Sequence, residues 1–583
     1  MEQEVLIEGQ DDHRTDSPGA RPGWRRWCEP IALALLALAI NLAGNDRTGL
    51  WDRDEPRYAV AVREMRARGD WFLPTYNGEP RYHKPILIYW LMGLTTALAG
   101  DNPFGARLVS SLAGAAAVVG VWWLARRLLG PRGGWLAALI YATAPIVAIE
   151  SKLATTDATL ALWLLGAQAS LWVLSRRDSR LVAAGFWAAL NLAILTKGPV
   201  GPALVAAASA VAWWCGWPVP PRARLRWRWG LASLLLIAAP WFAAVSIVSG
   251  GEFLRFALGD QLLGRLAVDR ETHGGFPGYY PTVATLAFFP WSALVPAAIV
   301  GAWTRRRSEP ALAYLLGWTI GPMMLLECFR TKLIHYYLPA FPAWALLAGW
   351  LILSLADEGV NIRRQSLGRL AMAMLVGIGL AIAAVLVAGA AFLPGRVGPL
   401  LVVVAALVAG SALVGLTYFQ RGEGRRAAHA MSACWAVILV IATGVVVPMC
   451  ESFRTSRIVG ERLRALAART GLEPVMLEYQ EPGVVYALGY PIAETRDPAG
   501  FFSHLTGGRS VLTALRENEI EVMREHFELD VTPVERVEGF WLTKGKYQTL
   551  FLSIVKPRAS RPDGEAVPVA TARGAAGEQP LVK

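Results

Sequence analysis

The sequence predicts an all-α polytopic membrane protein of about thirteen transmembrane helices, followed by a small C-terminal α/β domain. Three observations predict it. The chain of 583 residues is 54% hydrophobic with 24 Trp and a mean hydropathy of +0.37, and only 17% of it is charged; soluble domains carry about a quarter charged residues. Apolar runs of roughly 16 to 22 residues recur from position 30 to 450, each long enough at 1.5 Å per residue to cross a hydrocarbon core of about 30 Å. Short arginine clusters separate the runs, which is the placement that orients a helix in a membrane.

Residues 1–29 read as a cytoplasmic tail, and the first twenty lack periodicity and are expected to be disordered. The run Pro30–Gly44 follows Arg21, Arg25 and Arg26 without a small-residue cleavage site, so it is expected to be an uncleaved first helix. A first outer loop over 49–103 comes next. Within it, EPRYAVAVREMRAR has Asp54 in N-cap position, Pro56 in the first turn and Gly69 as a C-terminal stop, which predicts a short helix along the membrane surface. Ile86–Ala99 is too short to span and is read as an interfacial piece. If it spanned, every later arginine cluster would face outward. With it interfacial, Phe104–Ala125 carries the chain inward and the clusters around Arg126/Arg132, Arg176/Arg177/Arg180, Arg222–Arg228, Arg305–Arg307, Arg363/Arg364/Arg369 and Arg421/Arg425/Arg426 all become cytoplasmic. The last span falls near Ala430–Met449 and closes a membrane domain over 30–450. Residues 451–557, with a helical stretch SRIVGERLRALAAR and strand-like runs PVMLEYQ, RSVLTAL and TLFLSIV, read as a periplasmic α/β domain, and 558–583 as a disordered tail.

Charge and cysteines exclude two classes. The net charge of +12 and pI near 9.6 come from arginines lying between apolar runs, so they orient the protein and imply no nucleic-acid partner. Cys28, Cys215, Cys328, Cys434 and Cys450 are widely spaced with no pairing or metal-ligand pattern.

Polar residues other than arginine gather on the outer side. Asp54 and Glu55, with Arg57 and Tyr58, begin the surface helix, where a carboxylate is placed to act as a base beside a dry bundle; a solvated helix cap explains the pair equally well. Arg81-Tyr82-His83-Lys84-Pro85 leads into an apolar helix with Tyr89 and Trp90, and a lysine there can hold a lipid phosphate as well as snorkel. Lys152 and Asp157 lie at the outer end of two spans, Asp157 in a position that also suits a cap. Lys197, His273, Arg330, Lys332 and His335 are basic residues on the side where the positive-inside bias disfavours them, so they need anionic partners such as phosphate oxygens.

The ordered series DEPRYAVAVREM, HKPILIYWL, ARLVSSLAG, LARRLLG, KLATTDATL, LTKGPVG and TKLIHYYLPAFPAW resembles the membrane glycosyltransferases of the C-type fold, nearest the lipid A aminoarabinose transferases and their protein O-mannosyltransferase-like relatives. The resemblance covers about residues 30–450. It implies an inverting transfer of a sugar from a polyprenyl-phosphate donor to an acceptor, lipid A or another envelope molecule, on the periplasmic face of the bacterial inner membrane. By residue matching it implies Asp54 as the key first-loop carboxylate with Arg57 and Tyr58 as its neighbours, Lys84 as the lysine near the carrier phosphate and Asp157 as the second-loop aspartate. Beside these, the residues on the same face give Glu55 as a further catalytic carboxylate, Arg57, Lys197, Arg330 and Lys332 around the carrier phosphate, and Tyr58, Tyr82, His273 and His335 toward the acceptor or sugar. Where those relatives carry an acidic residue before the lysine, this chain has His83. A histidine can ligate a divalent metal, so a metal stays open, while no cofactor is certain. The alternatives are a protein O-glycosyltransferase of the same fold, a glycan ligase, or a lipid or polysaccharide transporter; the last is disfavoured because no internal repeat is visible and the charges sit at one surface.

Overall fold

The computed structural model describes residues 25–52, 54–257, 259, 275–357, 366–393, 395–495 and 498–558. The expected disordered tails, the Arg363/Arg364 loop and His273 lie outside the described residues. The chain forms two compact units, one of Met1–Arg454 with Gly489–Pro491 and one of Thr455–Leu488 with Ile492–Lys583.

The first unit is helical. It opens with α1 (Arg25–Leu42), α2 (Glu55–Arg68), a hairpin of β1 (Thr75–Tyr76) and β2 (Glu79–Pro80), α3 (Leu87–Ala99), α4 (Pro103–Ala142), α5 (Pro145–Glu150), α6 (Asp157–Arg176), α7 (Arg180–Lys197) and α8 (Val200–Trp214). Eight described helices are long and apolar enough to cross a bilayer, against the thirteen or so expected, and Trp27–Leu42, Leu87–Ala99 and Val200–Trp214 are shorter apolar helices. One difference is a merger: α4 holds two of the expected segments, hinged at Gly130 (φ 78°) just before Pro131, between the arginines of the first cluster. The chain is thus a multi-pass membrane protein.

The surface helix forms as its sequence dictates. Pro56 fits the first turn, where no amide bond is lost, and Gly69 closes α2 in the left-handed conformation (φ 69°) with its N–H on the Arg66 carbonyl. Asp54 occupies the N-cap position, yet its backbone is helical and its side chain makes no capping bond.

In a bilayer, helices associate through close packing because lipid is as apolar as leucine. Gly317 and Gly321 show this in helix Pro310–Glu327: a Cβ at either would lie 2.2 or 2.3 Å from α8 backbone at Ala212 and Ala207. The core beside this pair is aromatic. The Tyr337 hydroxyl donates to the Thr319 carbonyl (2.7 Å) and accepts from the Trp344 indole (2.9 Å), while Phe288 stacks on Phe341 at 5.0 Å.

The second unit is a five-stranded sheet in the order β4-β3-β5-β7-β6, made of β3 (Glu473–Met476), β4 (Ala493–Glu494), β5 (Val511–Leu515), β6 (Leu529–Trp541) and β7 (Lys546–Pro557). β3 pairs parallel with β4 and β5, whereas β5, β7 and β6 run antiparallel. The helix Thr455–Thr470 and the strands in PVMLEYQ, RSVLTAL and TLFLSIV fall where the sequence predicts them. β6 is an addition. Its Pro533 sits at a bulge on an edge strand, the place where a sheet tolerates a residue without an N–H. None of the candidate site residues lies in this unit.

Candidate active site

Glu55 organises the ground beneath the site. Its side chain is 2% exposed; one carboxylate oxygen accepts from Arg107 Nε (2.9 Å) and the Ala154 amide (2.6 Å), the other from Arg107 Nη2 (2.7 Å) and the Trp51 amide (2.7 Å). Arg107, also 2% exposed, gives its remaining protons to the Thr48 carbonyl and hydroxyl (2.9 and 2.6 Å) and the Gly49 carbonyl (2.8 Å). The pair ties the loop after α1 and the turn before α6 to the start of α2. All four bonds of Glu55 thus go to scaffold groups, an arrangement its place beside Asp54 does not reveal.

Asp54, one residue earlier, is the opposite case. It is exposed and, among the described residues, its carboxylate makes no hydrogen bond or ion pair. Arg57 is half-buried on the first turn of α2, and Tyr58, 2% exposed, sits 5.7 Å from the Tyr89 ring. Burial holds the Tyr58 phenol well above its ordinary range, with Tyr89 and the Asp54 charge adding to the effect and Arg81 opposing it, so Tyr58 remains a neutral hydroxyl.

Asp157 begins α6 and is bound by Lys197, the last residue of α7, at 2.5 Å; the Lys197 ammonium also lies 4.7 Å from the Tyr336 ring centre. His335, edge-on to Tyr336, and Lys84 act electrostatically on Asp157. Lys197 thus meets a carboxylate where a phosphate was expected. Glu150, 6% exposed at the end of α5, lies within electrostatic reach of Asp157, Lys197 and Asp54, and sequence reading gave it no role. Lys152 is 8% exposed and closes the carboxyl end of α1, donating to the carbonyls of Ile40 (2.9 Å), Asn41 (3.1 Å) and Ala43 (2.7 Å). Burial, with Arg107 nearby, lowers it to about 7.

The remaining predicted residues make contacts of their own. Lys332 is 6% exposed, ion-paired with Glu327 and bonded to the Phe276 carbonyl (3.2 Å); the Arg330 carbonyl takes the Gly275 amide. Tyr82 reaches Glu252 (3.4 Å), and the His83 ring packs on Phe256 at 4.8 Å. Among the described residues, no three His, Cys, Asp or Glu side chains gather to hold a metal.

Sequence reading passed over Arg107 and Glu150. Arg107 stood inside the quoted ARLVSSLAG segment, and a lone arginine in the first turns of an apolar helix is itself the signal of a buried partner.

This fold is shared with a solved structure. The structure matches the crystal structure of ArnT from Cupriavidus metallidurans bound to undecaprenyl phosphate with a TM-score of 0.69 at 23% identity, over 92% of this chain and 98% of that one. Residues 83–245 match the dolichyl-phosphate-mannose-protein mannosyltransferase family. Among curated proteins, the chain is 33% identical over 343 residues to the undecaprenyl phosphate-α-4-amino-4-deoxy-L-arabinose arabinosyl transferase of Edwardsiella ictaluri, covering 57% of this chain and 60% of that protein. It is 30% identical over 367 residues to the second such enzyme of Pseudomonas fluorescens, covering 61% and 60%. The matched region therefore spans about 60% of the length of these relatives. The chain resembles the aminoarabinose transferases and their mannosyltransferase-like relatives, as its motifs imply.

Proposed function

We propose that the protein is an inverting glycosyltransferase that moves a sugar from a polyprenyl-phosphate donor to an acceptor, lipid A or lipopolysaccharide, at the periplasmic face of the bacterial inner membrane. The observation that carries this reading is the contrast at the head of α2: Glu55 is fully bound, which leaves the exposed Asp54 as the carboxylate open to a substrate. The names of the relatives, which specify an undecaprenyl-phosphate-linked sugar, support it.

In the reaction the bond between the anomeric carbon and the phosphate oxygen breaks, and its electron pair leaves with the lipid phosphate. An acceptor oxygen forms the new bond from the opposite face, which inverts the centre. Lys84 offsets the charge growing on the leaving phosphate, with Arg57 on the adjacent helix turn. Asp54 takes the proton when the acceptor is a hydroxyl. For an anionic acceptor no base is needed, and Asp54 instead orients the acceptor or stabilises the cationic sugar. The Asp157–Lys197 pair holds the ends of α6 and α7 in register beside these groups.

The test is transfer from a polyprenyl-phosphate sugar by purified Asp54→Asn and Lys84→Ala proteins. The expected loss is about 100-fold or more in each. Wild-type turnover in both, at normal folding, sinks the assignment.

A further inference from the structure

Five lysines and arginines in the described residues are buried: Arg81, Arg107, Lys152, Lys332 and Arg454. A buried charge is tolerated when it is paired or fully hydrogen-bonded, and four of the five comply. Arg107 has Glu55, Lys332 has Glu327, Arg454 has Glu451 at 3.1 Å, and Lys152 has three carbonyls. Arg81 is the exception. Its Nε donates to the Tyr89 hydroxyl at 3.1 Å and its guanidinium lies 5.3 Å from the Tyr58 ring centre. Among the described residues it has no carboxylate at ion-pair distance, and nothing accepts from its two terminal nitrogens.

The side chain is held firmly all the same. Its own amide donates to the Pro74 carbonyl (2.8 Å), which locks the hairpin base, and Tyr58 and Tyr89 are 2% and 0% exposed. Both rings carry neutral phenols, so neither supplies a countercharge. Asp54, one helical turn before Tyr58, is within electrostatic reach of the guanidinium yet not paired with it. Lys84, three residues on, acts electrostatically on Asp157 and His335. A rigid guanidinium with its outer fork unused is shaped for the two oxygens of a carboxylate or phosphate.

We infer that Arg81 forms a second anion subsite, distinct from the place of the carrier phosphate at Lys84, that receives a carboxylate on the transferred sugar or a phosphate on the acceptor. The inference rests on the glycosyl-transfer reading above and adds a substrate class to it: at least one partner carries an anionic group besides the carrier phosphate. Such a subsite repels the ammonium of an amino sugar and attracts a sugar acid.

The full chain in lipid nanodiscs is assayed with two polyprenyl-phosphate donors, a uronic acid and the neutral hexose of the same configuration. Each is crossed with an acceptor lipid in phosphorylated and dephosphorylated form. Arg81→Gln is expected to lower kcat/KM about 10- to 100-fold only in combinations that contain the recognised anion, with Arg81→Lys recovering part of the loss. Loss that follows the uronic acid assigns the subsite to the sugar; loss that follows the acceptor phosphate assigns it to the acceptor. Transfer between the uncharged pair at wild-type rate shows that the variant folds. An equal loss in all four combinations, or none, overturns the subsite while leaving glycosyl transfer standing. Wild-type protein inactive in all four overturns the reading and the subsite with it.

Discussion

Glu55→Gln separates the structural carboxylate of the first loop from the chemical one. Glutamine keeps the shape but only one acceptor oxygen, so two of the four bonds to Glu55 are lost and its NH₂ group faces two donors. Each charge-assisted bond lost costs about 1.5–3 kcal/mol, and Arg107 is left buried without an anion. The two estimates meet at about 3–5 kcal/mol, the usual cost of breaking one side of a buried ion pair. Equilibrium unfolding in mixed micelles, followed by tryptophan fluorescence, reads this directly. Asp54→Asn, one residue away and exposed, should stay within about 0.5 kcal/mol of wild type in the same measurement while losing transfer. Glu55→Gln unfolding within about 1 kcal/mol of wild type would refute the argument that the buried carboxylate holds the loop.

Other perturbations test other parts of the fold. Lys197→Met strands the buried Asp157 carboxylate and should cost about 3–5 kcal/mol, most of it regained when Asp157→Asn is added; a double-mutant cycle without coupling would dismiss the pair. Gly317→Val forces a side chain into the α8 backbone and should destabilise by about 3 kcal/mol or more, seen as a lower melting temperature in detergent. Lys152 titrates near about 7 when folded against about 10.5 as an ordinary lysine. The unfolded chain then binds more protons across that window, so stability rises with pH there by up to about 1.4 kcal/mol per unit. Lys152→Met should flatten the rise, and an unchanged slope would place the titration elsewhere.

Local rules made the surface helix legible: Pro56 and Gly69 mark its ends, and the structure puts them there. Periodicity and hydropathy likewise located the apolar helices and three of the five strands of the sheet unit. What stayed hidden depends on partners far apart in the chain. Glu55 and Asp54 are adjacent acids on a helix start, and nothing local distinguishes them. Arg107 lies 52 positions from Glu55, and their meeting sorts one acid into the scaffold and leaves the other exposed. Lys197 and Lys332, expected from sequence to meet phosphate, pair in the fold with Asp157 and Glu327. β6 escaped notice because Pro533 and its charges mask an edge strand that needs only one paired side.

The same sorting carries through to the chemistry. Once the paired charges are set aside as structure, Arg81 stands out among the described residues as a deeply buried cation without an ion-paired anion, and Asp54 as an exposed anion without an ion-paired cation. Both flank Tyr58 on the first turns of α2 and the strand-to-helix linker before α3. The structure leaves these two opposite charges within electrostatic reach of each other but unpaired. Their separation is the arrangement expected where a substrate completes the electrostatics, and Arg81→Gln against Asp54→Asn tests each half on its own.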